Sequence, residues 1–369
     1  MVSKRILIVT AGFGEGHNSA ARGIRAGLAQ VSGGTAVVEV HDLFSDTYGL
    51  ANDWAREMYL GLINQWPRGW AAVYRRLDRQ EKFAGNFRVF FTLKKRFLGL
   101  LSRFEPDIII SVYPAYSHML DEMLGPTGGS RTKRLVVITD SLSVNAIWYR
   151  CSADYFLLPN ESSAAILHRA GIAPERTRTF GFPVSPEFAE NGEQLRQPPS
   201  AQNGRRVLYL INARRSHAPE LVVRLAGIDG IQLTVAYGRD RRVRKAVEHV
   251  RNFSLHPFRI VGWTEELPRL LRSTHLLVSK AGGATVQEAI AAGCPMIVNH
   301  VIPGQEEGNA RYLIAMDCGT VAIHDEEIVS AVESTFANNA ARWHEWSRNI
   351  APLGRPNAAL DTAQFILSL

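Results

Sequence analysis

Cysteine is scarce: three in 369 residues, at Cys151, Cys294 and Cys318. An odd, scattered set with no CxxC argues against a disulfide framework or a zinc site. The three read as small buried apolar side chains. Long apolar runs are lacking as well, and nothing approaches the roughly 20 residues that a membrane span needs. Met1-Val2-Ser3-Lys4-Arg5 leads straight into a short strand-like segment, with neither a signal-peptide core nor a small-residue cleavage site. The expectation is a cytoplasmic chain. There is no internal repeat of short fixed period. Acidic residues are outnumbered, 35 against 42 basic, for a net charge of +7. Such a surface attracts anions: nucleotide phosphates, nucleic acid or acidic lipid.

The apolar fraction of 46% belongs to a globular protein, and the length suggests two domains. Residues 5–10 read as a buried strand, followed by the turn Gly12-Phe13-Gly14-Glu15-Gly16-His17-Asn18. A helical pattern with Ala20, Ile24 and Leu28 on one face comes next, then a strand at 36–40. This β-turn-α-β opening implies a parallel sheet. Further strands are expected at 107–112, 135–139 and 154–158, with a helix at 162–170. A polar, Pro-rich stretch at 191–205 reads as a linker. A second alternation has strands at 206–211, 231–236, 258–261, 275–278 and 295–299. The expected fold class is α/β: two doubly wound Rossmann-like domains facing a cleft. The boundaries are 1–190 for an N-terminal domain, 191–205 for the linker, 206–352 for a C-terminal domain, and 353–369 for a closing helix.

The richest run is Ser279-Lys280-Ala281-Gly282-Gly283-Ala284-Thr285, between a strand and a helix expected at 286–292. Glycines admit a phosphate to the backbone, and a helix start offers free N–H groups and a positive dipole end. A diphosphate therefore fits at Gly282, Gly283, Ala284 and Thr285. Glu288, about one turn along, suits a ribose diol. It also suits the dipole as an ordinary helix charge. The next strand runs into His300-Val301-Ile302-Pro303-Gly304-Gln305-Glu306-Glu307-Gly308-Asn309. Gln, Glu and Asn supply the mixed donors and acceptors that sugar hydroxyls want.

KAGGATVQEAIAAGCPMIVNHVIPGQEEGNARYL resembles the donor half of a glycosyltransferase family. The family includes monogalactosyldiacylglycerol synthases, processive diacylglycerol glucosyltransferases and, more distantly, the lipid II-forming N-acetylglucosaminyltransferase. AGFGEGHNSAARGI resembles its acceptor-side glycine loop, with Gly12, Gly14 and Gly16. The resemblance spans roughly residues 5–345. It implies a GT-B fold, a UDP-sugar donor such as UDP-glucose or UDP-galactose, and inversion at the anomeric carbon. It puts Gly283 and Ala284 on the diphosphate, Glu288 on the ribose, Gln305 and Glu306 on the sugar, and Asn309 nearby. It puts Gly262 and Trp263 at the uracil edge. It makes 1–190 the acceptor-binding and membrane-facing domain and 206–352 the nucleotide-sugar-binding domain, and implies that the last helix, 353–369, crosses back to the N-terminal domain. No cofactor is expected beyond the donor substrate, and no metal motif is apparent.

Transfer requires an acceptor hydroxyl to lose its proton as it attacks. His17, directly after the glycine loop, is the candidate base, and its alternative is a structural helix-start histidine. Asp140 ends a strand in Val137-Ile138-Thr139-Asp140 and could orient His17 or the acceptor. The family has a histidine and then a tryptophan after its Thr-Asp. Here Trp148 is present, but Asn145 stands near the histidine's place. A second departure is Asn212-Ala213-Arg214-Arg215, where relatives carry glycines. The arginines either add charge at the diphosphate or are solvated.

Residues 66–104 carry ten basic side chains against Asp78 and Glu81, interleaved with Trp66, Trp70, Tyr74, Phe83, Phe87, Phe90, Phe91 and Phe97. Such a face suits an anionic membrane surface. The alternative is an insert with packed aromatics and solvated cations. No nucleic-acid module accompanies it. The resulting expectation is a hexosyltransferase of glycolipid biosynthesis, acting on a lipid acceptor such as diacylglycerol and peripheral on the inner face of the cell membrane. The rivals are a soluble acceptor, a UDP-sugar epimerase-like enzyme and a nucleotide-sugar sensor without turnover. A dehydrogenase is a weaker rival, resting on the glycine loop and on Glu39 at a strand end.

Overall fold

The computed structural model describes residues 3–12, 15–49, 90–127, 131–140, 144–189, 197–200, 204–302 and 306–369, with Glu15 as backbone alone. The chain forms two compact units. Unit 1 comprises residues 1–186, 302–308 and 355–369, and unit 2 comprises 187–301 and 309–354.

Unit 1 runs β1 (Arg5–Thr10), α1 (Glu15–Ser32), β2 (Val37–Asp42), α2 (Leu43–Tyr48), α3 (Phe91–Phe104), β3 (Ile108–Ser111), α4 (Pro114–Leu124), β4 (Lys133–Val137), β5 (Tyr155–Leu158), α5 (Glu161–Arg169) and β6 (Thr177–Thr179). The sheet is parallel, in the order β2-β1-β3-β4-β5-β6. Ile6, Leu7, Ile8 and Val9 are all buried. This is why β1 reads as one apolar run: a parallel strand is covered on both faces.

Unit 2 runs β7 (Arg205–Leu210), α6 (Ala218–Ala226), β8 (Ile231–Ala236), α7 (Arg241–Val250), β9 (Arg259–Val261), α8 (Leu267–Ser273), β10 (Leu276–Lys280), α9 (Gly283–Ala291), β11 (Met296–His300), α10 (Glu307–Ala315), β12 (Gly319–Val321) and α11 (Asp325–Ile350). Its parallel sheet has the order β12-β11-β10-β7-β8-β9. The strand order reverses between β7 and β10, and in unit 1 between β1 and β3. Those switch points open crevices at the carboxyl ends of the strands.

The last helix, α12 (Ala358–Ser368), belongs to unit 1 and packs along α1. Gly27 makes this possible: a Cβ there would lie 2.4 Å from the Ala359 carbonyl oxygen. One turn earlier, a Cβ at Gly23 would lie 1.9 Å from the Pro183 oxygen.

Three expectations change. The second strand ends at Asp42, so Glu39 lies inside it. The Glu39 carboxylate accepts from Arg103 at 2.6 Å and contacts His41 at 2.8 Å, which removes the positional basis of the dehydrogenase reading. The edge strands β6 and β12 were not anticipated. In α3, Phe97 is fully buried, and Phe90 just before it packs edge-on against Phe44 at 5.6 Å. Both aromatics serve the core rather than a membrane. Lys94 pairs with Glu122, and Arg103 with Glu39. Lys95, Arg96 and Phe91 remain exposed. The rest of the basic aromatic face, residues 66–89, lies outside the described residues. No described helix is long and apolar enough to cross a membrane.

Candidate active site

In unit 1 the switch point places β1 beside β3. The Tyr116 hydroxyl donates to the Thr10 carbonyl at 2.8 Å, and the Val112 amide to the Val9 carbonyl at 3.0 Å. The chain then turns through Ala11 and Gly12 into α1. Gly12 N–H donates to Asp42 Oδ2 at 2.8 Å, and the other Asp42 oxygen caps α2 through the Ser45 amide. Asp42 thus anchors the glycine loop. Gly14 lies outside the described residues, and Gly16 is in the first turn of α1.

His17 follows on that turn. Its Nδ1 is 3.2 Å from the Thr139 hydroxyl at the end of β4. Tyr113 meets the imidazole edge-on at 5.2 Å, and Trp148 lies 5.8 Å away at a tilt. Burial pulls its pKa down to about 4, partly offset by a hydrogen bond with the Val112 backbone. The ring is therefore neutral across the physiological range. Burial first, then the Asp42 charge, pushes the Tyr113 hydroxyl up to about 12.

Asp140 lies just past β4. Its Oδ2 accepts from the Trp148 indole N–H at 2.9 Å, while the neighbouring Thr139 contacts His17. Trp148 is held in a short 3-10 turn, Ala146–Trp148. Asn145 Oδ1 accepts from the Ile147 amide at 3.0 Å, and His118 Nε2 donates to the Ile147 carbonyl at 2.8 Å. Asn145 is itself buried, and its Nδ2 has no acceptor among the described residues. Tyr113 and His118 were missed from sequence. Tyr113 sits just past a strand end at a switch point, and that position was the available signal.

In unit 2 the corresponding switch point holds the β10–α9 turn. The β10–β11 register slips between Ser279 and Lys280, as the strand leaves the sheet. Asn212, just beyond β7, bridges the crevice. Its Nδ2 donates to the Ser279 hydroxyl at 2.8 Å, and its Oδ1 accepts from Lys280 N–H at 3.2 Å. From the other side, Asn309 Nδ2 donates to the Ala281 carbonyl at 3.0 Å. The turn is therefore braced by two amides, and Asn309, buried beneath it, acts through the backbone.

Gly282 is the N-cap of α9 in extended geometry, so Gly283, Ala284 and Thr285 form the first helical turn instead of a preceding loop. Their amides have no helical partner, which leaves donors at the positive end of the dipole. Glu288 falls in the second turn, half-buried. Glu306 is buried and closes its own turn: Oε2 accepts from Ile302 N–H at 3.1 Å. Gln305 lies outside the described residues. Past β9, Gly262 packs on the Tyr237 hydroxyl, 3.0 Å from where its Cβ would be. Trp263 stays 52% exposed, with the Arg239 guanidinium 4.2 Å above its ring. Arg214 contacts the Ile323 carbonyl and Asp325, and Arg215 pairs with Asp240 at 3.1 Å. These pairings absorb much of the charge that the two arginines bring to the loop.

Residues 17–184 match the monogalactosyldiacylglycerol synthase family, and residues 207–341 match the glycosyltransferase family 28 C-terminal domain. A processive diacylglycerol β-glucosyltransferase of Bacillus subtilis is 25% identical over 97% of this chain and 93% of its own. A probable chloroplastic monogalactosyldiacylglycerol synthase of Glycine max is 27% identical over 96% of this chain and 69% of its own. Among solved structures, MurG of Acinetobacter baumannii superposes with a TM-score of 0.60 at 13% identity, covering 99% of this chain and all of that one. UDP-N-acetylglucosamine 2-epimerases share the same fold, so fold alone does not separate transfer from epimerisation. With the first model matching within unit 1 and the second over most of unit 2, the chain belongs to the family of GT-B glycosyltransferases that contains the monogalactosyldiacylglycerol synthases and the processive diacylglycerol glucosyltransferases.

Proposed function

We propose that this glycosyltransferase moves a hexose from UDP-glucose or UDP-galactose to the hydroxyl of diacylglycerol at a membrane surface. The observation that carries the proposal is the doubly braced β10–α9 turn. Asn212 and Asn309 fix its backbone, so the amides of Gly283, Ala284 and Thr285 are preorganised for a diphosphate. Donors held in place stabilise charge as it develops on the leaving UDP, with no reorganisation during the reaction. Glu288 takes the ribose diol, Glu306 and Gln305 the hexose, and Gly262 and Trp263 the uracil. Gly12, Gly14 and Gly16 let the acceptor approach the backbone.

In the reaction the acceptor oxygen bonds to the anomeric carbon while the bond from that carbon to the diphosphate breaks. Configuration inverts. The hydroxyl proton passes to His17, a neutral imidazole with a lone pair available. When Nδ1 donates to the Thr139 oxygen, the lone pair sits on Nε2. Asp140 holds Trp148 against the imidazole and so acts through that ring. An acceptor other than diacylglycerol has one observation in its favour, the buried Asn145 amide in the Trp148 turn.

The test incubates labelled UDP-glucose or UDP-galactose with and without diacylglycerol vesicles. UDP release and a glycolipid product that both require the lipid are expected. Epimerisation or hydrolysis at the same rate without lipid would overturn the proposal.

A further inference from the structure

The described groove of unit 2 lies at the sheet edge opposite the β10–α9 turn. It encloses about 940 Å³ at the amino ends of β7, β8 and β9, and Arg206, Arg251, His256 and Arg259 line it. The link between α7 and β9 forms its rim. There Phe253 is 70% exposed and Leu255 82% exposed, the largest exposures of large apolar side chains among the described residues of unit 2. His249 touches the Phe253 ring at 5.5 Å, and Leu255 lies against the end of α6 beside Gly227. Arg205 reaches the same edge beside Gly230. The local acid is Asp229, which contacts His256 at 3.2 Å, and Glu248 is occupied by Arg244 at 2.8 Å. Four arginines thus face one aspartate around two exposed apolar side chains.

We infer that this edge is a second membrane-docking surface, built into the donor unit and specific for anionic phospholipid. Two side chains offer at most about 300 Å² of apolar area, well short of the roughly 800 Å² per partner of a stable protein interface. Insertion into a headgroup layer has no such threshold, since adjacent cations add to it. An arginine near an anionic surface contributes about fivefold in binding. Exposed Phe and Leu flanked by Arg form the combination that partitions at that depth. The surface is separate in sequence from residues 66–104, so it stands or falls independently of the membrane role given to that stretch.

The full chain is sedimented with phosphatidylcholine vesicles, alone or with about a quarter phosphatidylglycerol. The intact protein is expected to bind the anionic vesicles. Joint Phe253→Ser and Leu255→Ser substitution should weaken that binding at least tenfold, as should joint Arg251→Gln and Arg259→Gln substitution. Phe253→Leu should retain it. All four side chains are exposed, so melting temperatures should stay unchanged. Two results would overturn the inference. One is unchanged anionic binding by both double variants. The other is intact protein whose apolar pair drives self-association, seen as a dimer that the Phe253→Ser, Leu255→Ser variant loses. Lipid-dependent product formation by variants that still bind vesicles would leave the proposed reaction standing while sinking this surface.

Discussion

The Thr139 hydroxyl sits 3.2 Å from His17 Nδ1, joining the end of β4 to the first turn of α1 across the intervening strand β3. In the proposed reaction this contact leaves the opposite edge of the imidazole for the acceptor hydroxyl. His17→Ala should lower kcat by about 100- to 10,000-fold, the range for loss of a general base, while UDP affinity holds. Thr139→Val should cost less, about tenfold, and fall on kcat more than on KM. Calorimetry with UDP and steady-state assays separate the two effects. Wild-type turnover in His17→Ala would remove the base assignment.

The low pKa of His17 has two readouts. The acid limb of kcat/KM should fall near pH 4, because the free enzyme's base stays unprotonated down to there. A limb near 6.5 would point to another group. Stability follows the same linkage. The folded pKa of about 4 lies below the ordinary 6.5, so the unfolded chain binds more protons between those values. The contribution of neutral His17 is complete above about 6.5 and is lost as the pH falls toward 4. Thermal melts should decline over that window in the intact chain and decline less in His17→Phe.

Asn212→Ala removes both hydrogen bonds that brace the β10–α9 turn from the β7 side. The Ser279 hydroxyl and the Lys280 amide lose their partner, at a cost of about 1–3 kcal/mol. UDP affinity should weaken by about tenfold or more, with acceptor KM unchanged. Equal weakening of both substrates would mean that the turn does not belong to the donor site.

Gly27→Val drives a side chain into the Ala359 carbonyl, so α12 must shift. A loss of about 1–3 kcal/mol is expected, with an earlier melt. Gly99→Ala in α3 meets open space and should stabilise by about 0.5–1 kcal/mol. Opposite signs from two helical glycines would separate close approach from backbone entropy.

Much of this was legible in the sequence. β1 and β8 were read with their observed limits: β1 shows as one apolar run because both its faces are buried, and β8 shows as an alternation, with Ile231, Leu233 and Val235 buried and Gln232 exposed. β6 and β12 are three residues each at sheet edges, too short to show any period. The start of α9 was placed late because Gly283 and Ala284 read as turn chemistry, although one is the first helical residue. Phe97 could not be told from an exposed aromatic, since a helix with cations on one face needs ring and aliphatic anchors on the other. The roles of Asn212 and Tyr113 depend on strands distant in sequence becoming neighbours, and only the sheet order shows that.

α12 gives the fold a temporal order. Unit 1 contains residues synthesised before and after all of unit 2, with α12 filling the surface beside Gly27 of α1. A chain that lacks α12 can complete the sheet of unit 2 while unit 1 still exposes that strip of α1. The earlier half of the chain is thus the later half to be sealed. A chain truncated at residue 354 should contain a protease-resistant unit 2 and an unsealed unit 1.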